Sequence, residues 1–490
     1  MMSMIRRRLK RRWVAGLSSR RRNLHVALPG ITVLSCAMVC TASGVGESRL
    51  SDEVLPLQTH AVPDRPRPLL ELGNGLLATG SIHPGFTLPT RATLQPSLIV
   101  WGTYRTALQG VDEGDDTFSE WANRLDLFGN LYLTPTERIL AGFRPLDEDG
   151  RFSGHTFSAP DGDKEEEGAN NEFNSELTIL FFEGDFGELF PILDWKDARG
   201  LDFGLAVGRQ DIRFQNGMLI DDNIDALGIS KINLRTGRAV NHRATLLYAW
   251  NEINRNNRLS DDDDSALIGF FNEFDFRKST VAFDVIYVSA DEDTGDGIYG
   301  GISAIQRMGE LNTTFRILGS SAMGEETDHN ASGVMLYNEL SRTIHGADNF
   351  VYLNSFWGID TYRSASRGPS VGGALGPAGI LYESVGLGRY GAALDACADN
   401  MIGGAMGYQA FWDGVRRQVI VELGGRYATE EVGRRAIAAG ITYQAAVGQR
   451  TVFRIDSFAS YDKNRELVKM RETTSNELGI GGRVELTYKF

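Results

Sequence analysis

Asn476-Glu477-Leu478-Gly479-Ile480-Gly481-Gly482-Arg483-Val484-Glu485-Leu486-Thr487-Tyr488-Lys489-Phe490 is the stretch whose reading decides the fold. Leu478, Ile480, Val484, Leu486, Tyr488 and Phe490 alternate with Arg483, Glu485, Thr487 and Lys489. Successive side chains of a strand point to opposite faces, so this strand has one apolar face and one charged face. A half-buried strand of a soluble sheet shows the same alternation. What it rarely shows is an aromatic residue completing the apolar face with no polar tail behind it.

The same period runs through the rest of the chain. Strand-like segments are predicted over 95–108, 120–133, 136–145, 173–184, 202–210, 223–236, 242–251, 265–276 and 279–289, then 297–307, 311–319, 331–344, 349–360, 401–412, 416–427, 433–447, 450–461 and 476–490, eighteen in all. The odd-numbered connections include the long segments 146–172, 252–264, 361–400 and 462–475, whereas most even-numbered ones are tight, such as Thr134-Pro135, Arg277-Lys278 and Gly448-Gln449. Long loops at one end and short turns at the other, kept through an even strand count, is the layout of an outer-membrane up-and-down β-barrel. Two soluble β-domains have no reason to keep that parity. The even connection 185–201 breaks it, and its Phe186, Leu189, Phe190, Ile192, Leu193 and Trp195 fit either a short amphipathic piece under the barrel or an irregular turn.

The amino terminus points to export. Nine Lys or Arg and no acid lie within residues 1–43, followed from Val26 to Val39 by an apolar run broken at Pro29 and Gly30 and then by small residues at Thr41, Ala42 and Ser43. That order is a secretory signal peptide, so residues 1–43 are expected to be removed, 44–94 to form a periplasmic leader and 95–490 to form the barrel. Ser19-Arg20-Arg21-Arg22 faintly resembles a twin-arginine signal, but a barrel reaches its membrane unfolded, which favours general secretion. Removing nine positive charges from a net charge of −14 leaves −23, a balance that repels nucleic acid. Cys36 and Cys40 leave with the signal, so only Cys397 remains and no intrachain disulfide is expected.

In lipid, a closed barrel is the sheet that satisfies every backbone donor and acceptor, and a charge on its lipid face near the midplane costs roughly 2–4 kcal/mol. The charged faces must therefore line the inside. Leu125, Leu127, Leu131 and Leu133 oppose Arg124, Asp126, Asn130 and Tyr132 in the second strand; Val419, Val421, Leu423 and Tyr427 oppose Gln418, Glu422 and Arg426 in the fifteenth. An interior holding Arg124, Arg209, Arg243, Arg316, Arg426, Arg454 and Arg483 beside Asp126, Glu422, Asp456 and Glu485 is wet, and a barrel of about eighteen strands is wide enough for a channel.

Two resemblances sharpen this reading. The terminal strand resembles the closing strand of bacterial outer-membrane barrels, which implies embedding in outer-membrane lipid and recognition of Phe490 by the barrel-assembly machinery. Gly208-Arg209-Gln210-Asp211-Ile212-Arg213, then Gly217, then Asp221 and Asn223-Ile224-Asp225-Ala226-Leu227, resembles a segment of the alginate-export outer-membrane barrels. The two together cover about a tenth of the chain beyond residue 43. The second implies an eighteen-stranded monomeric barrel with an arginine-rich, anion-selective lumen through which a polyuronate is exported, with Arg209, Gln210 and Arg213 near the constriction and Asp225 as counter-charge; a small anionic solute is the other expected passenger. Arg243 and Arg454 complete the expected pore lining. Asp211 and Ser175 stand where that family is more basic. A wall of buried polar pairs is the competing reading of Gly208–Leu227.

Other features carry less chemistry. Acids cluster in the outer connections, at Asp112 to Asp116, Asp147 to Asp149, Asp161 to Glu167, Asp261 to Asp264 and Asp291 to Asp296. Carboxylate oxygens suit calcium or magnesium, but Asp291–Gly297 lacks the last acid of an EF-hand loop, and solvated loop charge is the simpler expectation. The seven His are scattered, with no nucleophile elbow or phosphate loop, so neither an enzyme nor a cofactor is expected. The glycine-rich connection 361–400 is long enough to fold into the lumen or to stay at the surface. The expected function is a porin-like channel for anionic or polar solutes. A barrel plugged by its own loops and a sheath around a periplasmic partner are the alternatives.

Overall fold

Eighteen antiparallel strands close into one barrel in the computed structural model, which describes residues 66–73, 84–114, 117–148, 150–160, 166–193, 200–255, 265–291, 294–430, 433–463 and 476–490. The expected signal peptide and the first part of the leader lie outside the described residues. The strands are β1 Ser97–Asp112, β2 Thr117–Tyr132, β3 Arg138–Phe143, β4 Leu177–Asp185, β5 Gly204–Phe214, β6 Ile220–Lys231, β7 Asn241–Asn251, β8 Ala266–Asp275 and β9 Ser279–Ser289. They continue as β10 Gly297–Met308, β11 Leu311–Ala322, β12 Gly333–Thr343, β13 Phe350–Tyr362, β14 Ala398–Trp412, β15 Arg417–Ala428, β16 Arg435–Ala446, β17 Thr451–Lys463 and β18 Asn476–Lys489. Each pairs with its neighbour in sequence, and β18 closes the ring on β1 from Ile480 opposite Asp112 to Lys489 opposite Thr103.

The surface is inverted relative to a soluble protein. Along β18, Leu478, Ile480, Val484, Leu486 and Tyr488 are exposed, while Arg483 and Glu485 are buried. Ile298 and Ile302 on β10, Phe315 and Ile317 on β11, and Leu353 and Trp357 on β13 repeat the outward apolar face. Exposed apolar bands of this extent belong in hydrocarbon, where the closed ring leaves no backbone edge unpaired.

The wall departs from the expected strands at the third. The third strand has six residues rather than the ten expected, so the upper edge of the sixteen-residue β2 needs another partner. Arg151–Ser158, inside the connection expected to be a loop, supplies it, pairing from Ser119 opposite Ser158 to Asn123 opposite Ser153. An unpaired edge exposes backbone donors and acceptors, which is the physical reason for the addition. The connection between β4 and β5 begins with one helical turn, Phe186–Leu189, capped by the Asp185 side chain on the Gly187 amide at 2.8 Å. Trp195 lies outside the described residues.

Candidate functional site: an inward hairpin and an inward loop

The β5–β6 hairpin is longer than the wall that holds it. β4 supports β5 only as far as Leu180 opposite Arg209, and β7 supports β6 only as far as Asn251 opposite Asp225. Beyond those points Gln210–Phe214 and Ile220–Ile224 have each other and no wall strand as ladder partners. Gly208 marks the departure: its φ of +119° is one an L side chain rarely adopts, and a Cβ there would meet the Leu180 carbonyl. The opposite strand answers with a register shift between Asp225 and Ala226.

The freed tip turns into the barrel because it is apolar. Met218, Leu219, Ile220 and Ile224 are fully buried, in one cluster with Leu247, Leu267, Phe271, Ile286, Tyr299, Leu318 and Met335 from the inner faces of β7 to β12. Phe214 stacks on Phe271 with ring centroids 3.5 Å apart. Each large side chain removed from water contributes roughly 1.5–3 kcal/mol, so four such residues and a stacked ring hold the tip firmly.

The connection 363–397 follows the hairpin inward. The Ala365 amide donates to Leu219 at 2.9 Å, Asp221 to Ser366 at 3.1 Å and Gly368 to Asp221 at 3.0 Å, so loop and hairpin share a short strip of backbone pairing. Wall side chains then fasten the loop along its length. Arg105, Arg124 and Gln109 donate to the carbonyls of Val385, Gly386 and Leu387, each at 2.9 Å. Glu422 accepts from the Ile380 and Leu381 amides at 3.1 and 3.0 Å, and Arg426 donates to the Leu394 carbonyl at 2.7 Å. Burial alone raises the Asp395 carboxyl, but Arg426 and Arg434 outweigh it and hold that carboxyl below the usual range. Of the two sites the sequence leaves open for this loop, the structure takes the lumen.

Asp222 ties the pieces together. Its carboxylate accepts from the Asn254 amide at 2.9 Å, the Asn254 side chain at 3.0 Å, the Asn223 amide at 2.9 Å and the Ser366 hydroxyl. Asp222→Ala should cost on the order of 1–3 kcal/mol for each buried donor left unpaired. The temperature at which the barrel loses its fast-migrating folded band on a semi-native gel should fall clearly; an unchanged temperature would remove Asp222 from the account.

Among the cavities around these segments, three border the hairpin. An outer one of about 330 Å³ is bordered by Arg124, Arg144, Arg209, Asp211, Asp221 and Ser370. An inner one of about 750 Å³, on the short-turn side, is bordered by Arg105, Arg124, Arg213, Asp221, Arg367 and Glu383. Both walls include Arg124, Asp221, Ser370 and Val371. A recess of about 300 Å³ beneath the hairpin borders Arg213, Arg243 and Arg316. At the junction of the first two cavities, Asp126 is shared by Arg124 and Arg144, each at 2.8 Å, and Asp221 lies 3.5 Å from Arg213. Arg367 borders the inner cavity, and Asp147, Asp211 and Asp222 border the outer one, so cations and acids face each other across the junction. Burial pushes the Asp147 carboxyl above the usual range against the pull of Arg144, which lies 3.2 Å away.

The residues expected to line a pore fall into separate places. Arg209 borders the outer cavity, held by Asp225 at 3.2 Å and Glu252 at 2.5 Å; Asp225 also accepts from Asn251 at 3.0 Å. Gln210 faces away from all three cavities, and its amide donates to the Ala226 carbonyl at 3.1 Å. Arg213, with its side chain 55% exposed, borders the inner cavity and the recess. Arg243 borders the recess 3.2 Å from Glu273, and Arg454 pairs with Asp456 at 2.9 Å on the wall. Arg105, Arg144 and Arg367 were not singled out from sequence. Alternation with the exposed Leu108 would have pointed Arg105 inward. Among the described residues no group of three or more His, Cys, Asp or Glu is placed to hold a metal; Asp261 to Asp264 lie outside them.

Neither a family model nor a curated protein matches the sequence. Solved structures do match the fold. OccAB4 of Acinetobacter baumannii is similar with a TM-score of 0.52 at 10% identity, over 82% of this chain and all of that one. OccK9 (OpdG) of Pseudomonas aeruginosa gives 0.52 at 11% identity over 80% of this chain and 98% of that one, and OccK2 (OpdF) gives 0.51 at 9% over 80% and 97%. The chain has the fold of the outer-membrane porins, a closed antiparallel barrel of eighteen strands.

Proposed function

We propose that the protein is a passive, monomeric outer-membrane channel for small anionic or polar solutes. The observation that carries this reading is the shared wall of the outer and inner cavities at Arg124, Asp221, Ser370 and Val371, which joins two spaces lined by arginines and acids into one polar line through the barrel. Packing so many charges dry would carry a large desolvation cost, which favours a hydrated path. Cavities of about 330 and 750 Å³ between hairpin and loop suit a small solute better than a polyuronate chain threading the barrel. A barrel plugged by its own loop is the second reading, favoured by the hydrogen bonds along 380–394. Swelling of liposomes containing the refolded protein separates the two. A channel swells them in isotonic small organic anions and sugars; a plug leaves them as tight as empty vesicles.

The two arginines of the Gly-Arg-Gln segment should behave differently. Arg213→Ala removes an exposed cation from the inner cavity and should lower the preference for anions with little loss of stability. Arg209→Ala leaves Asp225 and Glu252 without their cation, so it should both shift selectivity toward cations and destabilise the fold. Reversal potentials and thermal unfolding of both variants check this. Equal stability in the two would show that the Arg209 ion pairs carry no weight.

A further inference from the structure

On the lipid face of the barrel, at the end that carries the long loops, two cations stand directly opposite each other. Arg435 opens β16, Lys463 ends β17, and the ladder pairs them. The period of two places both on the face that the next opposed pair, Ile437 and Tyr461, presents outward. Like charges set directly across two strands repel. The inner face of the same two strands avoids this, because Arg434 is met there by Asp462 at 2.8 Å. On the outer face, among the described residues, neither Arg435 nor Lys463 has an ion pair. The Arg435 guanidinium lies over the Tyr427 ring, 4.3 Å from its centroid, and its Nε is buried without a hydrogen-bond partner.

The neighbouring surface gives a second, independent observation. Tyr427 sits opposite Arg435, Leu478 sits opposite Tyr461, and all of Tyr427, Ile437, Tyr461 and Leu478 are exposed, so an apolar band begins immediately below the two cations. Exposed aromatic residues mark the level in a barrel where hydrocarbon gives way to lipid headgroups. Long basic side chains reach for that level anywhere on a rim. Such reach accounts for one Arg or Lys at the boundary, but not for two placed face to face with no acid between them.

From this we infer that Arg435 and Lys463 form a docking site for a phosphorylated, acylated lipid of the outer leaflet. Its phosphate sits between the two cations and its chains lie along Ile437, Tyr461 and Leu478. A phosphate placed there turns a repelling pair into two charge-assisted contacts, and the planar guanidinium matches its oxygens in a two-point pair. A free phosphate would leave the apolar band beneath it uncovered, so the band is what selects a lipid. The site rests on the outer-membrane reading above, and it lies outside the barrel, apart from any passage through it.

Native mass spectrometry of the detergent-solubilised, refolded protein with diphosphoryl lipid A tests the assignment, and it reads lipid binding whether or not the barrel conducts or resides in an outer membrane. Retained lipid A is expected on the intact barrel. The same lipid stripped of its phosphates should bind weaker by roughly ten-fold or more, the loss expected when charge-assisted contacts are removed. Arg435→Gln with Lys463→Gln should weaken diphosphoryl lipid A to the same degree, whereas Arg342→Gln, at the short-turn end, should leave it unchanged. Equal binding of the stripped lipid, or binding lost in Arg342→Gln and kept in the double variant, would overturn the site. Displacement of lipid A by an equal concentration of inorganic phosphate would overturn the lipid as occupant. Thermal unfolding separates docking from a structural role. Lys463→Gln removes one of two repelling charges, so in detergent alone the barrel should be as stable as before or more so. It should lose most of the stabilisation that lipid A brings. A fall in stability of the same size with and without lipid A would make Lys463 part of the wall and refute the proposal.

Discussion

Replacing residues 369–396 with a short Gly-Ser linker should raise the single-channel conductance several-fold. The excised segment buries Leu375, Ala378, Leu381, Tyr382, Leu387 and Leu394 almost completely, and it reaches β1, β2 and β15 through hydrogen bonds. It therefore occupies cross-section that an eighteen-stranded wall would otherwise leave to water. Residues 363–368 stay in the variant, so the backbone strip holding the hairpin is kept and the hairpin alone narrows the lumen. Bilayer recordings of intact and excised proteins decide it. Equal conductance would mean that the current never passes beside this loop.

Deleting Phe490 should reduce assembled protein far more than its contacts warrant. The residue exchanges two backbone hydrogen bonds with Gly102, at 2.9 and 3.0 Å, and its ring lies over that glycine, where a Cβ would collide with it. Burying one such ring contributes roughly 1.5–3 kcal/mol, a small share of a barrel stitched by eighteen strand pairings. An energetic role alone leaves a slightly less stable barrel in the membrane. Recognition by the assembly machinery, which we propose, leaves almost none. The amount of heat-modifiable barrel in the outer-membrane fraction distinguishes them, and normal accumulation of the truncated protein would mean that the terminal residue is structural only.

The wall was legible because each strand carries its own record. A lipid-facing residue is apolar whatever its neighbours do, so the alternation of Leu478, Ile480, Val484 and Leu486 around Arg483 and Glu485 reads directly as outside and inside. The lumen was less legible, because what enters it depends on where neighbouring strands stop. β5 and β6 read as an ordinary pair of strands; only the late start of β4 at Leu177 and the early end of β7 at Asn251 release their tip. The short β3 escaped for the same reason, since its lost length is made up by Arg151–Ser158 from a segment with loop-like acids. Gln210 is a different case. The period of two already separates it from Arg209 and Arg213, and grouping all three at a constriction ignored that period. Arg105 was readable by the same rule, whereas Arg367 was not, because a loop residue has no periodicity to place it.

Net charge and local charge make opposite demands on ion preference. The chain is acidic, but exposed acids on its outer connections are screened within a Debye length of about 8 Å at physiological salt. Arg124 stands at the junction itself, with Arg144 in the outer wall and Arg213 and Arg367 in the inner one, where a narrower and less polarisable surrounding strengthens their action on a passing ion. The most direct test of a conducting, arginine-lined path is the reversal potential of single channels in a planar bilayer under a potassium chloride gradient. The account predicts discrete conductance steps with a modest preference for chloride; the absence of steps, or a clear preference for potassium, would contradict it.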